Sequence, residues 1–201
     1  IIGHNYIGGL FGYLSSNTAV IKGVSAKSNI LATGYYGGIA GYLGGDITGD
    51  TITSTGNIIG KGYYDDRTNK YVEGNYAGGI VGYLNGSYTG NTITSTGSVE
   101  ILGGYAGGIA GMTTGSIFAS DSINHTGDIT ASQSYVGSLV GNATNSDVSS
   151  PKTAFTGTLS GVDYVGGMAG NITGNLSLGT STIDVTVNGK GNYVGGIAGK
   201  Y

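Results

Sequence analysis

The chain predicts an all-β fold: a right-handed parallel β-solenoid (β-helix) with about 29 residues and three short strands per coil. Three observations predict it. One motif recurs seven times, as Tyr6-Ile-Gly-Gly-Leu-Phe-Gly12, Tyr35-Tyr-Gly-Gly-Ile-Ala-Gly41, Tyr76-Ala-Gly-Gly-Ile-Val-Gly82, Tyr105-Ala-Gly-Gly-Ile-Ala-Gly111, Tyr135-Val-Gly-Ser-Leu-Val-Gly141, Tyr164-Val-Gly-Gly-Met-Ala-Gly170 and Tyr193-Val-Gly-Gly-Ile-Ala-Gly199. Successive motif tyrosines are 29, 41, 29, 30, 29 and 29 residues apart. A fixed period of that size marks units that bury their apolar faces only by stacking on one another. The second observation is glycine, 43 of 201 residues. In a helix each would cost about 1 kcal/mol relative to alanine, and no 3.6-residue apolar stripe survives. The third is β-branched alternation, as in Thr51-Ile-Thr-Ser-Thr55 and Thr92-Ile-Thr-Ser-Thr96, closed by Gly56 and Gly97.

The strands of a coil follow in order. The first is the Tyr-x-Gly-Gly motif and the second is the Thr-rich run. The third is Asn57-Ile-Ile59, Val99-Glu-Ile101 or Asp128-Ile-Thr130. Stacked in parallel at about 4.8 Å per coil, they form residue ladders. Handedness follows the rule for parallel crossovers. Along the motif strand, alternation puts Tyr and the fifth position on one face, so Leu10, Ile39, Ile80, Ile109, Leu139, Met168 and Ile197 are the expected core. The tyrosines share their parity and are expected to stack as a column that stabilises the fold, the alternative being exposed aromatics that grip sugar rings. The opposite parity is also apolar, with Tyr36, Ala77, Ala106 and Val136 after the tyrosine and Ala40, Val81, Ala110 and Val140 after the fifth position. A bend at Gly-Gly turns both sets inward; a straight strand would instead leave a flat apolar strip for interaction. We adopt the bend, and expect Tyr13, Tyr42 and Tyr83 to be exposed.

Residues 1–201 form one solenoid segment, read as part of a longer chain because neither end carries a polar cap. The 41-residue interval holds 12 extra residues, expected as an inserted surface loop at about 61–72. Its Tyr63, Tyr64, Asp65, Asp66, Arg67 and Tyr71, with Tyr13, Tyr42 and Tyr83, are the candidate interaction residues. Self-association is expected, head-to-tail through the uncapped ends or laterally. A host surface or a glycan is a further partner class.

Composition removes several chemistries. Eight basic and 11 acidic residues give a net charge of −3, with no basic patch for nucleic acid. Cysteine is absent. Residues 101–120 are uncharged, but glycine and hydroxyl residues interrupt them, so no membrane span is expected. His4 and His125 are the two histidines, neither followed by the glutamate of a His-Glu-x-x-His zinc site. Both are expected in turns or at the surface. Asp65 and Asp66 are neighbours, and neighbours on a strand point to opposite faces rather than converging on one bond. Strings such as Gly37-Gly-Ile-Ala-Gly41 lack the Lys-Ser/Thr ending of a phosphate loop. No catalytic, metal-binding or cofactor-binding residue is assigned, and the chain is read as a non-enzyme without cofactors. The Thr-x-Thr runs raise ice binding, but Val24-Ser-Ala26, Ser122-Ile-Asn124 and Thr182-Ile-Asp184 break the array elsewhere.

The string Tyr-Val-Gly-Gly-Ile-Ala-Gly at Tyr193 to Gly199 resembles the GLUG repeat. That family occurs in bacterial surface proteins, haemagglutinin-type adhesins and the large secreted peptidases that cleave immunoglobulin A. The resemblance covers all seven motifs, the fifth departing at Ser138 in place of the second glycine. It implies a non-catalytic structural or adhesive segment of an extracellular or cell-surface protein, with filament formation as one outcome. Alternatives are an accessory domain of a large secreted peptidase, or a specialised ice- or carbohydrate-binding solenoid.

Overall fold

In the computed structural model the chain winds into a parallel β-solenoid of about six turns. The structure describes residues 1–15, 18–20, 23–61, 63–72 and 75–201, and the backbone alone at 18–19, 63–65 and 70–72. Every regular element among them is a strand.

Each coil has four segments, because the motif is two strands rather than one. In the second coil the chain runs through Ile30–Gly37, bends, continues as Ala40–Leu43, turns into Asp46–Thr55 and returns as Ile58–Gly60. Ala40–Leu43 and its equivalents build a separate seven-stranded sheet, while the other segments join a 17-stranded sheet. Glycine makes the bend at the motif unavoidable. A methyl group on Gly37 would stand 2.5 Å from the Ala40 carbonyl oxygen and 2.6 Å from that of Ile80 in the next coil. Backbone from two strands and two coils meets there, leaving no room for a side chain.

The bend turns both parities inward, as adopted from the sequence. Tyr36, Ile39 and Ala40 are all buried, as are Val136, Leu139 and Val140 three coils on. The motif tyrosine precedes the bend and is left facing outward. The sequence parity that grouped it with the core is thereby corrected: alternation does not carry across Gly-Gly. Register is kept along the motif, with Tyr6 opposite Tyr35 and Tyr35 opposite Tyr76, and Ile52, Ile93 and Ile123 stand in one row of the long strands.

Two apolar columns run up the interior. One includes Ile39, Leu43, Ile47 and Ile52 with their equivalents; the other includes Ile30, Tyr36 and Ile58 with theirs. Packing in the second column alternates large with small. A methyl on Gly60 would strike the Tyr36 ring, and one on Gly161 would lie 2.8 Å from Val136 Cγ2; where the motif carries Ala77, the short strand ends in Ile101. Large and small residues thus complement each other in these coils, while the next coil is small at both places, Ala106 and Ala131.

The waist of the coil lies where the second motif glycine meets an inward residue of the long strand. Register aligns those residues as Ala26, Ser54, Ser95, His125, Phe155 and Ile183. Methyl groups on Gly38, Gly79 and Gly108 would collide with Ser54, Ser95 and His125. At the level of Phe155 the motif carries Ser138, which is fully buried with its hydroxyl unpaired.

The irregular spacings have structural counterparts. The 30-residue interval carries its extra residue as a bulge, Ser120 and Asp121 standing opposite the single Asn91. The 41-residue interval extrudes an antiparallel hairpin, Tyr63–Asp65 with Lys70–Val72, which forms its own two-stranded sheet. Among the described residues, Lys61 before the hairpin and Asn75 after it belong to the coil ladder, their N–H groups donating to the carbonyls of Ala32 and Gly34.

Side chains extend the ladder through the turns. Asp46 Oδ1 accepts the Ser87 N–H, Asn57 Oδ1 that of Ser98, and Asp147 Oδ1 that of Asn175, all near 2.9–3.0 Å. Backbone donors left unpaired between strands are thereby satisfied coil by coil. At the turn after the Thr run, Gly56, Gly97, Gly127 and Gly157 hold φ between 116° and 145°, a conformation in which only glycine is unstrained.

Candidate interaction surfaces

The most developed surface feature is a corner of tyrosines. All seven motif rings stack in one column, with neighbouring centroids 4.6–5.0 Å apart and interplanar angles of 7–20°. Each pair contributes about 0.5–1.5 kcal/mol beyond the area it buries. Burial first, and neighbouring phenols next, push up the pKa values of Tyr35, Tyr76 and Tyr135. Because the rings cover one another, the faces between neighbouring coils are occupied. Face-on stacking of sugars along the column is therefore blocked by the column itself.

Tyr13, Tyr42 and Tyr83 form a second column beside the first. Tyr13 stacks on Tyr42 at 4.7 Å, and Tyr6 meets Tyr13 edge-on at 5.0 Å. Tyr13 is exposed as expected, whereas Tyr42 and Tyr83 are half-buried against the motif tyrosines. Asn85 ties this column to the turns: its Nδ2 donates to Tyr42 Oη at 3.1 Å, and its Oδ1 accepts from Thr114 Oγ1 at 2.8 Å. The column continues as Met112, Asn142 and Asn171, where Asn171 Nδ2 donates to Asn142 Oδ1 at 2.7 Å.

The hairpin candidates divide. Asp66 and Arg67 are exposed at its turn, and the side chains of Tyr63, Tyr64, Asp65 and Tyr71 lie outside the described residues.

A third surface is the outer face of the long strands. Thr51, Thr53 and Thr55 lie in register with Thr92, Thr94 and Thr96, then with Ser122, Asn124 and Thr126. Lys152, Ala154 and Thr156 follow, with Lys152 Nζ 3.8 Å from Asp121 Oδ1, both exposed. Hydroxyls thus form a regular patch over two coils and lose regularity beyond it. Val24 pairs with Ile52 and Thr182 with Ala154, so both belong one or more steps from the positions assigned by sequence. Beside the bulge, Thr48, Asp50, Thr89, Asn91 and Ser120 border a shallow groove of about 400 Å³.

The two histidines are far apart in environment. His4 is exposed, with Nδ1 2.9 Å from Thr33 Oγ1. His125, expected in a turn or at the surface, is instead fully buried at the waist, and neither ring nitrogen has a hydrogen-bond partner of ordinary geometry. Burial pushes its pKa down to about 4, against a smaller opposite pull from the backbone of Gly127 and Ser95. The clue in the sequence was alignment: Ser122-Ile-Asn-His-Thr126 sets His125 on Ser54 and Ser95, two residues past a core isoleucine and so on its face. Among the described residues no group of three or more His, Asp or Glu is placed to hold a metal ion. Among the described residues no helix is long and apolar enough to cross a membrane.

No family model, no curated protein and no solved structure matches this chain.

Proposed function

We propose that the chain is a non-catalytic structural and adhesive segment of an extracellular or cell-surface protein. The observation that carries this is the unbroken coil-to-coil ladder: backbone bonds, turn side chains and a seven-ring tyrosine column all repeat at one spacing. Such a quasi-one-dimensional scaffold sets distance and presents side chains periodically, which suits a stalk or an adhesive surface. The resemblance of the motif to GLUG repeats supports the extracellular setting. Partners on this account meet the tyrosine corner or the extruded hairpin.

Intact cells of the source organism, probed with an antibody against this segment, test the proposal. Labelling without permeabilisation, lost after brief protease treatment, is the expected result. Labelling only after permeabilisation overturns it.

A further inference from the structure

We propose that a hollow on the outer face of the long strands, spanning the second, third and fourth coils, binds one neutral pyranose ring at the end of a glycan. This rests on the adhesive reading of the segment and names a ligand class for it. Two outward rows frame the hollow: Thr48, Thr89 and Phe118 ahead of the corner of the coil, and Asp50, Asn91 and Ser120 at the corner. All six side chains are exposed. Gly49 and Gly90 form the floor, and behind Gly90 the buried Tyr88 hydroxyl fills the place of a methyl group, 2.2 Å from where that carbon would stand. The rows are two residues apart, about 6.6 Å, and three coils span about 9.6 Å. One pyranose ring with its hydroxyls covers an area of that size.

Phe118 is the residue that an ordinary solvated face does not explain. Its row is otherwise hydroxylated here, with Thr48 and Thr89 on one side and Ser149 on the other, yet Phe118 is 40% exposed. Away from the first and last coils, Leu102 and Phe118 are the two exposed large hydrophobics among the described residues, and Phe118 is the one beside the groove. Its ring offers a flat apolar surface to the C–H face of a sugar. The bulge acts at the same place: with Ser120 and Asp121 opposite the single Asn91, Ser120 Oγ is aimed at Asn91.

The polar groups suit adjacent ring hydroxyls, each of which both donates and accepts. Ser120 Oγ donates to Asn91 Oδ1 at 2.7 Å, which leaves the two Asn91 Nδ2 hydrogens as donors to a ligand. Asp121 is engaged by Thr92 Oγ1 at 3.2 Å and by Lys152 Nζ at 3.8 Å, so the carboxylate free to accept sugar hydroxyls is that of Asp50. That charge disfavours phosphate, sulfate and acidic sugars. No group of three or more His, Asp or Glu among the described residues is placed to hold a cation instead. A neutral polyol is the ligand that remains. Because the hollow is open outward, a terminal ring lies in it while the rest of the glycan extends into solvent.

Saturation-transfer NMR on the 201-residue chain tests this, with the methyl pyranosides of glucose, galactose, mannose and N-acetylglucosamine at millimolar concentration. The methyl group stands for the link to a glycan. At least one of these glycosides should receive saturation, strongest on one C–H face. Phe118→Ala and Asp50→Ala, both at exposed positions and checked for the unmodified β-signal by circular dichroism, should each weaken that binding about tenfold. Phe118→Tyr should retain it, and Tyr13→Ser at the tyrosine corner should leave it unchanged. No transfer to any of the four sugars overturns the proposal. So does binding that survives both alanine variants, that is lost with Tyr13→Ser, or that favours the free reducing sugar over its glycoside. Surface labelling of cells is independent of these results, so failure of sugar binding and failure of the functional proposal are told apart.

Discussion

Acid should weaken this fold through one residue, His125. Its ring lies at the waist of the fourth coil against Gly108, between Ser95 and Phe155 in the neighbouring coils, and is stable there only as the neutral imidazole. The folded pKa is about 4, against 6.5 for an unperturbed histidine. Between those values the unfolded chain binds a proton that the folded chain does not, so unfolding gains from proton uptake. Stability is therefore complete above pH 6.5, declines as pH falls toward 4 and levels off below. At about 1.4 kcal/mol per pKa unit, the loss comes to roughly 2–3 kcal/mol by pH 4.5. That is a large share of the 5–15 kcal/mol typical of a whole domain. Urea unfolding at pH 7.5 and pH 4.5, followed by far-ultraviolet circular dichroism, measures it. His125→Phe and His125→Ser, which place at 125 the residues found at 155 and at 54 and 95, separate this effect from that of the carboxylates. Wild type should lose about 2–3 kcal/mol more than either variant over this range. Equal losses in wild type and both variants would refute the assignment of acid sensitivity to the buried ring.

Three further outcomes follow from the packing. Gly79→Ala should cost about 1–3 kcal/mol in urea unfolding, because the methyl meets Ser95 and the Gly108 backbone, whereas Gly104→Ala, whose methyl would meet only Gln133 Oε1 at 3.8 Å, should cost under about 0.5 kcal/mol. Tyr36→Phe should raise stability by about 1 kcal/mol, since the Tyr36 hydroxyl is buried without a partner; a loss of that size would reveal a bond to it. Alkali should loosen the tyrosine column: the pKa values of Tyr35, Tyr76 and Tyr135 are raised, so their contribution is complete below pH 10 and is lost as pH climbs through the folded values. Absorbance titration at 295 nm (the phenolate band) should then show part of the tyrosine ionising late and together with loss of the β-signal.

The coil was legible in the sequence because its spacing is set by the backbone ladder, which tolerates no drift. The larger exception could also be placed, the 12 extra residues emerging as the hairpin, whereas the one extra residue shows itself only in the register, as the bulge at Ser120 and Asp121. The Gly-Gly bend that brings Tyr36 and Ala40 in was readable from the apolar opposite parity; what alternation could not carry was its effect on the motif tyrosines, which precede the bend and are left outside. Strand parity is a local rule, and it resets wherever the chain turns. His125 was misplaced for a different reason. Its burial depends on the column it shares with Ser54 and Ser95, which only alignment of the repeats exposes. The Tyr36 and Gly60 pair was equally hidden, since complementary volumes 24 residues apart become neighbours only once the coil closes. Functional surfaces were the least legible, because a tyrosine in a repeat has the same spacing whether it braces the coil or meets a partner.

Disulfide trapping across the coils tests the parallel, in-register ladder most directly, and the absence of native cysteine makes it clean. Thr53 pairs with Thr94 and Thr94 with Asn124, all on the outer face of the long strands. Adjacent coils lie about 4.8 Å apart, within disulfide reach, and coils one removed lie about 9.6 Å apart, beyond it. Oxidation of Thr53→Cys/Thr94→Cys and of Thr94→Cys/Asn124→Cys should therefore give rapid intramolecular crosslinks. Thr53→Cys/Asn124→Cys, which skips a coil, should give none under the same conditions. Crosslinking of the skipped pair as fast as the adjacent ones, or no crosslink in either adjacent pair, would contradict the stacked solenoid.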